Sequence, residues 1–82
     1  MQIIFHLFAS AREKCGNNLI TVDVPEDSTL ETAVKSLQSL HPNIDEEFIK
    51  MCKIAHEGKY ISLATKVIHE HIYLLIPPVS GG

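Results

Sequence analysis

The sequence predicts a two-layer α+β domain in which one mixed β-sheet packs against one main helix. Two patterns indicate this fold class: several short apolar segments alternate in the manner of strands, and one stripe of apolar residues repeats with the period of a helix. The length of 82 residues suits one domain, and 45% hydrophobic with 21% charged residues is typical of globular proteins. We therefore expect one folded domain rather than a disordered chain.

Two strands and a short helical turn are predicted in the first part of the chain. Residues 2–8 place alternate apolar side chains on one face of an extended chain, which predicts the first strand. Residues 9–15 are rich in helix formers and end at Gly16, a helix stop signal, so we expect one helical turn there. Residues 19–24 alternate again as far as Pro25, which cannot donate to a β-ladder, and they predict the second strand.

The main helix is predicted over residues 28–40. Ser28 and Glu31 have the spacing of a capping box, in which each side chain accepts a hydrogen bond from a free amide at the helix start. Apolar residues then follow at helical spacing, namely Leu30, Ala33, Val34, Leu37 and Leu40. Pro42 disfavours the helical conformation at His41, so the helix is expected to end there.

Three further strands are predicted in the second half. The polar stretch 43–50 fits a helical turn, and residues 51–56 and 59–62 flank Glu57-Gly58 with the spacing of a hairpin. Residues 72–76 are nearly all apolar, which is typical of a central strand covered on both faces. This order of elements predicts a β-grasp domain of about five strands, with the first and last strands side by side and parallel.

Charge, apolar run length and cysteine content limit the partners and the compartment that we expect. Seven Lys and Arg against ten Asp and Glu give a net charge of −3, and the basic residues do not cluster, so we expect no nucleic-acid partner. The apolar runs fall far short of the roughly 20 residues that span a bilayer, so we expect no membrane partner. Cys15 and Cys52 are too few for a disulfide framework, which favours the cytosol, and the first residues lack the basic character of a signal peptide.

The domain itself is not predicted to hold a metal, a cofactor or a complete catalytic site. His69 and His71 would share one face of an extended segment, but two ligands are too few for a metal. The remaining histidines lie at no recognisable metal-binding spacing: His6, His41 and His56. Both cysteines are interpreted as packing residues, and no glycine-rich loop is present to hold a nucleotide. We therefore expect no bound metal or cofactor, and no catalysis by this chain alone.

The end of the chain is the predicted functional site. The β-grasp domain is expected to span residues 1–76, and a flexible tail follows as Pro77-Pro78-Val79-Ser80-Gly81-Gly82. Paired prolines favour extended geometry, so the tail can reach roughly 18 to 20 Å, far enough to enter the active site of another protein. Two terminal glycines let a narrow channel close on the backbone and leave the carbonyl of Gly82 open to attack once it is activated. The alternative is a frayed terminus without function.

Two segments carry a resemblance to a known family. Near the start of the chain stands Phe8-Ala9-Ser10-Ala11-Arg12-Glu13, followed by Gly16, and the chain ends with Pro77-Pro78-Val79-Ser80-Gly81-Gly82. Both resemble the small, sulfur carrier subunit of molybdopterin synthase. The similarity in length and element order covers the whole chain, and the proline and glycine ending is its most specific part.

The resemblance implies a ubiquitin-like β-grasp protein with covalent chemistry at Gly82. An E1-like adenylating enzyme would use ATP to adenylate this glycine, and a sulfur donor protein would then convert it to a thiocarboxylate, or 1-thioglycine. The tail from Pro77 to Gly81 would enter a large catalytic subunit that passes the sulfur to cyclic pyranopterin monophosphate, forming the dithiolene of molybdopterin. The resemblance also implies a heterotetramer of small and large subunits, in which the large subunit supplies the catalytic side chains.

Two short segments depart from the pattern of that family. Residues 67–71 stand where a Gly-Asp turn is common, and Ala55-His56 stands where a Val-Asn pair is expected. The first departure leaves the local turn geometry open.

For docking on a partner, we expect exposed apolar residues on the sheet, including Phe8 and Leu75.

Three other functions remain open from the sequence. The chain could carry sulfur for thiazole synthesis or tRNA thiolation, or it could be a ubiquitin-like modifier joined to lysines through Gly82. The remaining alternative is a β-grasp interaction domain without covalent chemistry. The first two need the same activated terminus as the main hypothesis, whereas the third does not need it.

Overall fold

The computed structural model describes residues 1–78, which form five strands and three helices. The elements follow in the order β1 (Gln2–Leu7), α1 (Ala9–Cys15), β2 (Leu19–Asp23), α2 (Leu30–Leu40), α3 (Glu46–Met51), β3 (Lys53–His56), β4 (Lys59–Tyr60) and β5 (Ile72–Ile76). Among these residues, no helix combines the length and the apolar character needed to cross a membrane.

The five strands form one mixed sheet in the order β2-β1-β5-β3-β4. Strands β1 and β5 are parallel neighbours, with Ile4 opposite Ile72, and the other neighbouring pairs are antiparallel. The predicted β-grasp arrangement is therefore confirmed, including the side-by-side first and last strands. Because β5 lies in the middle of the sheet, the chain leaves the domain from its centre.

One face of the sheet packs on α2 and forms the core. The alternate residues predicted to share a face of β1 are all buried, as are the inward residues of β5: Ile3, Phe5, Leu7, Tyr73 and Leu75. Helix α2 contributes the inward side of its apolar stripe: Leu30, Ala33, Val34 and Leu37. Its last apolar residue, Leu40, is exposed, so the stripe leaves the core before the helix ends.

The predicted capping box at the start of α2 is wrong. The Ser28 hydroxyl donates to the carbonyl of Pro25 at 2.6 Å, and α2 begins later than predicted, at Leu30. The backbone amides of the first two helical residues donate instead to the carbonyls of Thr65 and Leu63, at 2.8 and 3.0 Å. Free amides at a helix start need acceptors. Here a loop distant in the sequence provides two of them.

The short elements were predicted with less accurate bounds. Helix α1 is confirmed, and Gly16 adopts the left-handed conformation, φ 77°, that ends it. The polar stretch before β3 forms α3, whose first turn is capped by the Asp45 side chain, which accepts from the amide of Phe48 at 2.9 Å. This helix includes Met51, so the hairpin strand β3 starts two residues later than predicted, at Lys53.

The turn before β5 contains a non-glycine residue in the left-handed region. Glu70 has φ 65°, and its amide donates to the carbonyl of Gln2 at 2.7 Å. A side chain in this conformation costs on the order of 1 kcal/mol, a cost that glycine does not carry.

We expect Glu70→Gly to raise the free energy of unfolding by about 0.5 to 1 kcal/mol, because the strain is released while the backbone contact remains. The matched control is Glu13→Gly, an exposed glutamate within α1, which should lose about 0.5 to 1 kcal/mol. Urea denaturation of both variants measures the two changes in the free energy of unfolding, which should have opposite signs. A loss of stability in Glu70→Gly would contradict the argument.

Candidate functional site

The predicted tail starts at the end of the central strand. Ile76 ends β5 and is half-buried, the next residue, Pro77, is buried, and Pro78 is exposed. The exposed chain after β5 thus begins at Pro78, one residue beyond the predicted domain boundary. The other predicted tail residues, Val79, Ser80, Gly81 and Gly82, lie outside the described residues, so the site predicted at Gly82 stays a prediction.

The face of the sheet that points away from α2 is apolar over much of its width. Strand register places one residue of each strand in a continuous row: Leu19, His6, Leu74, Ala55 and Tyr60. Beside this row lie Ile4 opposite Ile72 on one side and Ile76 opposite Lys53 on the other. We call these nine residues the outer sheet face.

Several large apolar side chains of the outer sheet face are exposed. Leu19 is 57%, Ile72 48% and Tyr60 68% exposed. The interpretation that β5 is covered on both faces is therefore wrong among the described residues: only the face carrying Tyr73 and Leu75 is buried. A contiguous apolar face of this kind marks a surface for a partner.

Neither of the two residues expected to be exposed on the sheet is exposed. Phe8 follows β1 on the outer side, half-buried, with its ring centroid 4.4 Å from that of His6. Leu75 is fully buried, because its neighbours Leu74 and Ile76 take the outward positions. The outward position next to the tail is thus held by Ile76.

One cation borders the apolar surface where the tail begins. Lys53 lies directly opposite Ile76 across the β3–β5 ladder. Its ammonium group is 5.8 Å from the ring centroid of Tyr60, within the range of a cation–π contact. The start of the tail is thus flanked by apolar side chains and one positive charge.

The two cysteines do not form a reactive site. Burial raises the pKa of the Cys15 thiol, and burial raises the pKa of the Cys52 thiol to about 11. Cys52 lies in an open groove of about 770 Å³ between α2, α3 and the β3–β4 hairpin, near Lys50. A thiol must lose its proton to act as a nucleophile. Both thiols stay protonated at neutral pH, in agreement with their interpretation as packing residues.

The raised pKa of Cys52 predicts a pH dependence of stability. The folded state holds the thiol proton up to about pH 11, whereas an ordinary thiol loses it near pH 9. Between these values the unfolded state binds fewer protons, so stability falls as pH rises. We expect the free energy of unfolding to decrease between about pH 9 and pH 11, and Cys52→Ser to reduce that decrease. Equal slopes in the two proteins would contradict the assignment.

The topology and the outer sheet face define the class of protein to which the chain belongs. A mixed sheet with parallel first and last strands, packed on one main helix, is a ubiquitin-like β-grasp domain. The model of the ThiS family matches residues 5–82. The chain therefore belongs to the ThiS family, a family of small ubiquitin-like sulfur carriers.

Relatives with curated names fall into two groups. The molybdopterin synthase sulfur carrier subunit of Arabidopsis thaliana is 32% identical over 77 residues, which cover 93% of this chain and 78% of that protein. Small archaeal modifier protein 1 of Haloferax volcanii is 30% identical over 83 residues, covering 93% of this chain and 95% of that protein. A crystal structure of SAMP1 from the same organism superimposes with a TM-score of 0.91 at 26% identity, over all of both chains.

The same fold also occurs in a solved two-subunit assembly. A structure of the complex of subunits 1 and 2 of the molybdopterin-converting factor from Helicobacter pylori matches with a TM-score of 0.68. The identity is 19%, and the match covers all of this chain and of that chain. This likeness concerns the fold alone.

Proposed function

We propose that this chain is the sulfur carrier subunit of molybdopterin synthase and that Gly82 is its reacting residue. The observation that carries the proposal is the central strand β5, which ends in the middle of the sheet at Ile76, six residues before the Gly-Gly end of the sequence. Membership of the ThiS family and the similarity to the sulfur carrier subunit of Arabidopsis thaliana support it.

The proposed chemistry occurs at the α-carboxylate of Gly82. A carboxylate oxygen attacks the α-phosphorus of ATP in an E1-like adenylating enzyme, and pyrophosphate leaves. Sulfur at the oxidation level of hydrosulfide, supplied through a sulfur donor protein, then attacks the carbonyl carbon and displaces AMP. The product is a thiocarboxylate. The absence of a Cβ at Gly81 and Gly82 leaves this carbonyl accessible within a narrow channel.

The large subunit of the synthase is the proposed second partner. It would hold cyclic pyranopterin monophosphate and the catalytic side chains, and this chain would supply only the sulfur. In this proposal the outer sheet face docks on the large subunit, and the tail beyond Pro78 enters its active site. The exposed apolar side chains of that face, Leu19, Tyr60 and Ile72, and the half-buried Ile76 at the start of the tail support this docking.

A docking role for the outer sheet face predicts a large effect of a charge at its centre. Leu74 lies in the middle of the row that crosses all five strands. We expect Leu74→Asp to weaken binding to the large subunit by at least about 30-fold, since anchors at the centre of an interface contribute 2 kcal/mol or more. Thr32→Asp, on the exposed side of α2, is the control and should bind normally. Calorimetry with purified subunits measures both, and equal affinities would place the interface elsewhere.

A second function is favoured by one specific observation. The similarity to small archaeal modifier protein 1 extends over the whole fold, with 30% identity in sequence. In this alternative the same activated Gly82 is attacked by a lysine amine of a target protein, and an isopeptide bond forms with loss of AMP.

Intact-mass measurement tests the proposal and separates the two functions. The chain is incubated with an adenylating enzyme, ATP and a sulfur donor, and a gain of about 16 Da, from replacement of one carboxylate oxygen by sulfur, is expected. The thiocarboxylated chain, mixed with the large subunit and cyclic pyranopterin monophosphate, should then return to its original mass as molybdopterin forms. A chain that gains no mass would refute the sulfur-carrier proposal, and a chain recovered in adducts with lysines would favour the modifier.

A further inference from the structure

A cluster of metal-ligating side chains lies at the end of β5 opposite to the tail. It consists of His56 at the end of β3, Glu57 in the turn that follows, and His71 just before β5. One ligand atom from each residue lies within 4.8 Å of the other two. We call these residues the His–Glu–His cluster. The sequence pattern pairs His71 with His69 instead, so the cluster was not predicted.

The ring of His56 and the backbone of His71 are held in place by contacts with the domain. The ring of His56 stacks on the buried ring of Tyr73, with centroids 4.4 Å apart and an interplanar angle of 14°. His71 donates its backbone amide to the carbonyl of Ile68, and its carbonyl accepts from the amide of Ile4, both at 3.1 Å. Both histidines are half-buried. Their positions are therefore set by the fold, which is the usual condition for a specific metal site.

The geometry points to a binding site for a divalent cation of the zinc class, with His56, Glu57 and His71 as ligands. Nε2 of His56 and Nδ1 of His71 are 2.9 Å apart. A tetrahedral zinc ion, with Zn–N distances of about 2.0 to 2.1 Å, separates two ligand nitrogens by about 3.3 Å. The imidazoles thus need to move apart by roughly 0.4 Å, and rotation of the exposed Glu57 side chain brings its carboxylate to the ion.

The donor set selects the class of metal. Two imidazole nitrogens and one carboxylate oxygen, with water in the fourth position, suit zinc and its first-row neighbours. Magnesium and calcium prefer oxygen ligands only. In the structure, one ring N–H donates a hydrogen bond to the other ring nitrogen across the 2.9 Å contact. A metal ion needs a lone pair on both contacting nitrogens, so the donor ring has to bind as its other tautomer.

A metal at this position would join the hairpin to the segment before β5. That segment belongs to the loop between β4 and β5, which supplies the carbonyls of Leu63 and Thr65 to the start of α2. The ion would thus stabilise the loop and the helix start. From His71 to Ile76 the chain runs roughly 16 Å along the strand, so the ion would not contact the start of the tail. The inference therefore does not rest on the proposed sulfur chemistry.

Zinc titration of the full chain tests the inference. Calorimetry is carried out on a protein that carries both Cys15→Ser and Cys52→Ser, so that thiols do not bind the zinc ion. All further variants are made in this protein. We expect saturable binding of one zinc ion per chain and no saturable binding of magnesium. His71→Gln should weaken zinc binding by at least about 10-fold. The control His41→Gln removes a histidine at the end of α2, outside the cluster, and should leave the affinity unchanged.

Two further measurements keep the test independent of folding defects. Glu57→Gln changes an exposed turn residue, so it should preserve the fold and still weaken zinc binding several-fold. In nitrogen-15 NMR spectra, zinc should shift the ring signals of His56 and His71 and leave those of His41 in place. The inference is overturned if no one-to-one binding occurs, if His41→Gln weakens binding as much as His71→Gln, or if the ring signals of the cluster do not move.

Discussion

Adding one residue after Gly82 is expected to abolish the gain of sulfur completely while leaving the domain as stable as before. The added residue, here alanine, turns the carboxylate of Gly82 into an amide, whose neutral oxygen is a much weaker nucleophile toward ATP. The new terminal carboxylate lies one residue further along the chain and carries a Cβ beside it, in a channel that is proposed to close on Gly81-Gly82. Intact-mass measurement after incubation with the adenylating enzyme, ATP and a sulfur donor checks the result: the unextended chain should gain about 16 Da, and the extended chain nothing.

Removal of the added residue provides the matched control. Digestion with a carboxypeptidase that stops at glycine should regenerate Gly82 and restore the mass gain in the same protein sample. Thermal denaturation of both forms should give the same midpoint, since one residue added at a chain terminus rarely changes the stability of a domain. If the extended chain still carries sulfur, the reacting group is not this carboxylate. If it still supports molybdopterin formation without any covalent change, the chain acts as a binding module.

The sheet could be predicted from the sequence because burial of one face imposes a period of two. The alternation of β1 predicts that Ile3, Phe5 and Leu7 share the buried face. The order of elements predicts the parallel pairing of β1 with β5. In β5 nearly every residue is apolar, so the sequence does not show which alternate residues point into the core. The expectation that Leu75 is exposed was therefore wrong, and the pairing of Leu74 with His6 shows which side points outward.

The start of α2 shows why local motifs are less reliable. Ser28 and Glu31 have the right spacing for a capping box, but the helix start is served by carbonyls of Leu63 and Thr65. Those residues are more than thirty positions away, and no local sequence pattern predicts that they contact the start of α2. A tertiary contact thus replaced the interaction that the short-range sequence favoured.

The candidate sites differ in the same way. The tail ending at Gly82 was found from a local pattern, and its test lies in chemistry rather than in the described residues. The His–Glu–His cluster was missed because β3 and β5 run antiparallel and bring together histidines that are fifteen residues apart. Both imidazoles come from the two segments that depart from the family's usual pattern, Ala55-His56 and residues 67–71. That coincidence was the available signal in the sequence.

Leu37→Ala is expected to cause a large loss of stability. The Leu37 side chain is 0% exposed and lies in the core cluster beneath the sheet. Its truncation removes buried methyl groups and leaves a cavity, which costs about 2 to 5 kcal/mol. Since small domains are stabilised by only about 5 to 15 kcal/mol in total, this variant should be close to unfolding at physiological temperature.

The same helix offers a matched control in Leu40→Ala. Leu40 is 59% exposed and three residues further along α2, so the same atoms are removed from a site that is mostly in water. We expect a change within about 0.5 kcal/mol. Urea denaturation of both variants gives the two free energies of unfolding and their slopes. Equal losses would mean that the apolar stripe of α2 does not rest on the sheet at Leu37, and the helix would then have to pack by a different face.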